Sequence, residues 1–143
     1  MIKFYKTHET HGFLNNFKKS PFVLYGHQWN NVETPYQFKK TLNPEEKKAF
    51  FDIKTPREAR DLGQTVTMRP DWDHAKLFVM YECVRAKFEQ NLDLKEQLLV
   101  TGDEELIEDS PIDYYWGCGA DGSGKNMLGK VLMFVRAELR DEG

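Results

Sequence analysis

From Asp71 to Gln90 the chain runs without Gly or Pro, and Ala75, Val79, Cys83 and Ala86 recur at intervals of three and four residues. That spacing places them on one face of a helix, the longest the sequence predicts. Leu128, Val131, Leu132, Val135 and Leu139 repeat the same period and mark the buried stripe of a terminal helix. Leu92 to Leu99 predicts a shorter helix stopped at Thr101-Gly102, where a glycine can take the left-handed conformation that ends helices. Apolar runs compatible with strands are few. Ile2–Tyr5, Pro21–Tyr25 and Leu106–Glu108 are short enough to be edges of a small sheet.

Three times the chain sets a capping residue directly before a proline: Thr34-Pro35, Asn43-Pro44 and Thr55-Pro56. A Thr or Asn side chain accepts an orphan amide hydrogen, and proline in the next position sacrifices none. Short helices are therefore predicted near 35–42, 44–53 and 56–62, the last ended by Gly63. Without a regular alternation of strands and helices, the pattern gives a helix-rich α+β fold, a single domain over residues 1–143 with a small sheet of short strands.

Composition narrows the function classes. At 143 residues and 40% hydrophobic the chain is long enough for one core that buries roughly two-thirds of its unfolded surface. No stretch approaches the roughly 20 apolar residues of a membrane span, and the start of the chain lacks the apolar core of a secretory signal. A cytoplasmic protein is expected. Only Cys83 and Cys118 are present, too few for a disulfide framework or a Cys-x-x-Cys zinc site. The four histidines show no metal-ligand spacing, so no metal is expected. A net charge of −3 argues against extended nucleic-acid binding. That average conceals an asymmetry: residues 1–60 carry 11 basic against 6 acidic side chains, and residues 61–143 carry 9 against 17. A basic N-terminal region can attract a phosphorylated small molecule.

Gly119 to Asn126 matches the G-x-x-x-x-G-K pattern of a nucleoside-triphosphate loop, with Asn126 where the magnesium-holding Ser or Thr belongs. No strand of buried aliphatics precedes it and no later strand ends in Asp, so that reading is set aside. What survives is a glycine loop running into the last helix, whose first amides and positive dipole end can receive a phosphate. The competing reading is that Gly117, Gly119, Gly122 and Gly124 make a tight turn and nothing more.

The segment Asp113-Tyr-Tyr-Trp-Gly-Cys-Gly-Ala-Asp-Gly-Ser-Gly-Lys-Asn126 carries a resemblance to a known family. Trp116-Gly117, then Gly124-Lys125-Asn126-Met127-Leu128-Gly129, then Leu132-Met133-Phe134-Val135-Arg136 follow the order found in the NADAR (YbiA-like) family. Upstream, Leu98 to Asp103, Leu106 to Pro111, Arg69-Pro70-Asp71-Trp72 with Lys76 and Met80, and Lys87-Phe88 with Gln90-Asn91 are similar to other stretches of that family. Near the N-terminus Glu33, Gln37 and Lys40 stand at matching offsets, although Thr34-Pro35 follows Glu33 where relatives carry an aromatic or His. Leu14-Asn15-Asn16-Phe17 likewise stands where Ser-Asn-Phe is commoner.

The resemblance implies an N-glycosidase that needs no metal or redox cofactor. Its expected substrate is a phosphorylated ribosyl small molecule such as an early riboflavin-biosynthesis intermediate. Two alternatives stay open: removal of ADP-ribose from a nucleobase, and a sensor that binds ADP-ribose or NAD without turnover. Breaking a ribosyl C–N bond builds positive charge on the sugar, which calls for a carboxylate to oppose it and a second group to help the departing base. Glu33 and Asp113 are the expected carboxylates, with Lys40 about two helical turns beyond Glu33 to hold a phosphate or keep Glu33 ionised. Trp116 offers a flat ring for stacking. Asn16, Phe17, Gln37, Arg69, Trp72, Gly117, Gly124 and Asn126 complete the expected substrate-binding set. Against these stand ordinary roles: Glu33 as a first-turn acid, Asp113 as a turn cap, Arg69 as a helix cap.

Overall fold

Asn43 and Thr55 cap helices in the expected way. The computed structural model describes residues 1–143. In it the Asn43 side chain accepts from the amides of Glu45 and Glu46, and Thr55 accepts from the amide of Glu58. Helices α2 (Pro44–Ala49) and α3 (Pro56–Gly63) follow, each with proline in its first turn. A tight turn over Phe50–Asp52 continues α2.

The third Pro-marked helix, α1, covers Glu33–Phe38 and so begins two residues before the predicted start. Asn31, not Thr34, is the capping side chain: its Oδ1 accepts from the amide and the hydroxyl of Thr34 at 2.9 and 3.0 Å. Pro35 is tolerated inside the first turn because amides there have no intrahelical acceptor. The shift matters for the site, since it puts Glu33 at the first helical position, buried at 5% exposure.

Helices α4 (Trp72–Gln90), α5 (Leu92–Val100) and α6 (Met127–Glu142) lie where the periodicity places them. Val79, Cys83 and Ala86 of α4 and all five stripe residues of α6 are buried in one apolar cluster. The strands divide into two pairs. Strand β1 (Ile2–Phe4) runs parallel to β4 (Leu106–Glu108), while β2 (Phe22–Leu24) forms a hairpin with β3 (His27–Trp29), which the sequence pattern did not reveal. Tyr25 and Gly26 make the hairpin turn with φ of 55° and 74°, the left-handed pair that two-residue hairpins require. The α+β class holds.

The parallel connection from β1 to β4 carries β2, β3 and helices α1 to α5. No helix is long and apolar enough to cross a membrane.

Candidate active site

A cavity of about 450 Å³ opens between the turn at 12–17, helices α1, α3 and α4, and the stretch from Glu108 to Trp116. The volume suits a nucleotide-sized metabolite. Glu33, Gln37 and Lys40 enter from α1 and its end, Asn16 and Phe17 from the turn, Trp72 from the start of α4, and Asp113 and Trp116 from beyond β4. Eight of the expected residues therefore share one space.

Glu33 is held at its Oε1, which accepts from the Gln37 amide at 2.8 Å one helical turn on and faces the Arg60 guanidinium at 3.5 Å. Burial raises its carboxyl above the ordinary value; the Gln37 hydrogen bond and Arg60 draw it back, and the Asp113 charge adds to the rise. Arg60, on α3, also lies over the ring of Phe17 at 4.5 Å and is half-exposed toward the cavity. Lys40 makes no ion pair or side-chain hydrogen bond and remains a free cation on the same wall. Trp116 presents its ring between Tyr36 and Tyr115, edge-on to both.

Gln37 can reach Glu33 only because Gly63 has no side chain. A Cβ on Gly63 would lie 2.1 Å from the Gln37 Oε1. We expect Gly63→Ala to displace Gln37 and loosen Glu33, lowering kcat roughly ten-fold while costing about 1–3 kcal/mol of stability. Steady-state kinetics beside a denaturation curve reads both; a variant with wild-type kcat would free Gln37 of that role.

Asp113 serves the turn as well as the cavity. Its Oδ1 accepts the amides of Tyr115 and Trp116 at 2.9 and 2.7 Å, so the turn-capping role is real and fixes the Trp116 ring.

Four expected binding residues lie off the cavity. Arg69 grips Asp71 through two bonds of 2.6 and 2.9 Å and reaches the Lys39 carbonyl, bracing the chain beside Lys40 outside the cavity lining. Gly117 and Gly124 pack backbone on backbone: a Cβ on Gly124 would sit 2.3 Å from the Gly117 carbonyl oxygen. Asn126 adopts φ of 52°, donates to the Leu106 carbonyl and accepts the Glu108 amide, both at 2.9 Å. The phosphate-receiving helix start is also corrected. The amides of Lys125, Asn126, Met127 and Leu128 donate to the carbonyls of Tyr114, Gly117, Tyr115 and Trp116. Those four amides are spent on the chain's own carbonyls, which favours the competing reading of the glycines as a tight turn.

Because the Asn126 side chain mimics a strand on the free edge of β4, Asn126→Ala should leave the Glu108 amide and Leu106 carbonyl without those partners. We expect a loss of about 2–6 kcal/mol, from roughly 1–3 kcal/mol for each of the two orphaned groups. Calorimetry tests it, and a loss below about 0.5 kcal/mol would mean water replaces the amide.

Sequence reasoning missed Arg60 and Glu108 as cavity residues. Nothing in the sequence around Arg60 marks it. Glu108 had a signal: it stands two residues after Leu106 on a strand, hence on the same side as a fully buried leucine.

Three carboxyl side chains, a guanidinium and a free ammonium around one open cavity define a hydrolytic site of the glycosidase kind. The chain belongs to the NADAR family: the NADAR domain matches residues 3–140. It is 41% identical to the N-glycosidase Npun_R5314 of Nostoc punctiforme, over 98% of this chain and 93% of that protein. It is 35% identical to the N-glycosidase YbiA of Escherichia coli, over 99% and 90%. The riboflavin biosynthesis protein VVA0006 of Vibrio vulnificus is 39% identical over 98% of this chain but only 39% of its own length. The NMR structure of E. coli YbiA superposes with a TM-score of 0.92 at 35% identity, covering 99% of this chain and 85% of that one.

Proposed function

We propose that this cavity hydrolyses the C–N bond between a ribose phosphate and an amine or base, with early riboflavin-biosynthesis intermediates as the substrate class. The chain is an N-glycosidase; what supports the substrate class is the kinship with relatives named for riboflavin biosynthesis. The observation that carries the reading is the meeting of Glu33 and Asp113 with the unpaired Lys40 in one cavity beside Trp116. Lys40 takes the phosphate, and Trp116 stacks on the flat leaving group. As the bond breaks, the sugar becomes cationic, and the buried Glu33 charge opposes it in surroundings that screen it little. Water then adds from the side of the carboxylates, which accept its proton. The reaction runs in the cytoplasm, a compartment that keeps thiols such as Cys83 and Cys118 reduced.

Purified protein incubated with a riboflavin-pathway ribosylamine phosphate, ADP-ribosylated guanine DNA and NAD, followed by chromatography, tests this. Free ribose 5-phosphate from the first substrate is expected, and its loss in Glu33→Gln or Asp113→Asn ties it to the site. Turnover of the ADP-ribosylated base alone would move the substrate class to ADP-ribosyl compounds. Tight binding of ADP-ribose or NAD without any product would make the chain a sensor.

A further inference from the structure

We infer that Glu108 is the proton donor to the departing nitrogen, a third carboxyl of the cavity set in place by Asn126 through the strand it stands on. The inference rests on the N-glycosidase reading above and assigns the group that reading leaves unnamed.

The three cavity carboxyls differ in their partners. Glu33 has the Gln37 amide and the Arg60 guanidinium, and Asp113 has two backbone amides; such donors favour the charged form. Glu108 has none. Its Oε2 is buried and makes no hydrogen bond, although the side chain lines the same cavity. A carboxyl in that position is stable with its proton on and poor at being an anion. Burial, with the Asp113 and Asp109 charges added and Arg60 opposing, pushes it up to about 8. It therefore holds its proton into the neutral range, as the acid partner of a paired acid–base site must.

Its placement is fixed from both sides. The Glu108 amide donates to Asn126 Oδ1, and its carbonyl accepts the amide of Cys118 at 2.9 Å. Gly129 lets α6 approach this far, since a Cβ there would meet the Leu106 carbonyl oxygen at 2.0 Å. Asn126 and Gly129, which lie off the cavity, are thus positioning residues for Glu108.

The C–N bond breaks with both electrons passing to nitrogen, which takes the proton from the Glu108 carboxyl. The ribosyl cation bonds to the oxygen of water, whose proton passes to the Glu33 and Asp113 carboxylates. Solvent returns a proton to Glu108 and removes one from the pair, leaving ribose 5-phosphate and the free amine.

The test compares wild type with Glu108→Gln on two substrates: a ribosylamine 5-phosphate, and 4-nitrophenyl riboside 5-phosphate, whose leaving group departs without a proton. In wild type, kcat/KM on the first should fall above pH about 8. Glu108→Gln should lose roughly 10²- to 10⁴-fold on the first and less than about ten-fold on the second, with the alkaline fall gone. Glu108→Asp should recover part of the rate on the first. Equal losses on both substrates, or an alkaline fall that persists in Glu108→Gln, would overturn the role. If wild type releases ribose 5-phosphate from neither substrate, the N-glycosidase reading falls and the inference with it. If wild type is active and Glu108→Gln equally so, only the inference falls.

Discussion

Glu33→Gln is expected to lower kcat by roughly 10³-fold or more while leaving the protein at least as stable as wild type near neutral pH. The two expectations come from the same burial. A glutamine fits the space and keeps an acceptor for the Gln37 amide, so the hydrogen bond within α1 survives. What disappears is the charge. In the folded state that charge is disfavoured by burial, so the carboxyl binds its proton more tightly than in the unfolded chain. A group raised on folding favours the native state at low pH, and that contribution is lost as pH climbs through the folded value. The substitution removes that loss, so stability at neutral pH holds or rises, partly offset by leaving Arg60 without its partner. Kinetics and a denaturant titration on one preparation check the pair of effects. A kcat within about ten-fold of wild type would mean the charge opposing the sugar cation lies elsewhere, with Asp113 the next to test.

The largest stability effect is expected at Lys87, which is 1% exposed on α4. Its Nζ donates to the carbonyls of Phe13 at 2.7 Å and Asn15 at 3.1 Å, tying α4 to the turn that carries Asn16 and Phe17 into the cavity. Burial, helped by the Lys18 charge, brings the ammonium down to about 7. A folded value below the unfolded one, near 10.4, means the unfolded chain binds more protons in between, so stability rises with pH from about 7 to about 10. Over that window the contribution is on the order of 4 kcal/mol, at 1.4 kcal/mol per unit. Glu108 acts with the opposite sign below about 8, and buried Cys83, pushed up, opposes the rise above the ordinary thiol range. Both are common to wild type and Lys87→Met, so the difference between the two proteins isolates Lys87. That difference should grow by about 1.4 kcal/mol per pH unit between 7.5 and 9.5 in denaturant unfolding. A difference that is flat with pH would show the ammonium to be solvated in the native state. In Lys87→Met, loosening the 12–17 turn should raise KM, because two cavity residues ride on it.

Local signals decided the helices. Asn43 and Thr55 cap α2 and α3 through bonds to amides two and three residues away, and the stripe of α6 follows from a period of 3.6. These interactions close within one or two turns, so the sequence states them directly. The start of α1 was misplaced because Asn31 and Thr34 are both competent caps and only the packing of Glu33 against α3 selects between them. Strand β3 escaped notice because His27-Gln28-Trp29 has no alternating pattern, and its partner β2 supplies the register.

For the site, the resemblance to the family pointed to Glu33 and Asp113, and both line the cavity. The glycine segment was the misleading part. A run of glycines before a helix specifies close backbone approach, yet it cannot say whether a ligand or the chain itself makes that approach. Here the carbonyls of Tyr114 to Gly117 fill the place of the phosphate. The sequence by itself determined the helix-rich α+β class, the three capped helices of the N-terminal half or their neighbourhood, and the carboxylates available for chemistry. Tertiary structure alone brought Arg60 against Glu33, placed Glu108 in the same cavity, and turned Asn126 from a ligand-binding residue into the brace of β4. Those outcomes depend on residues 18 to 75 positions apart in the chain, where no local propensity or periodicity reaches.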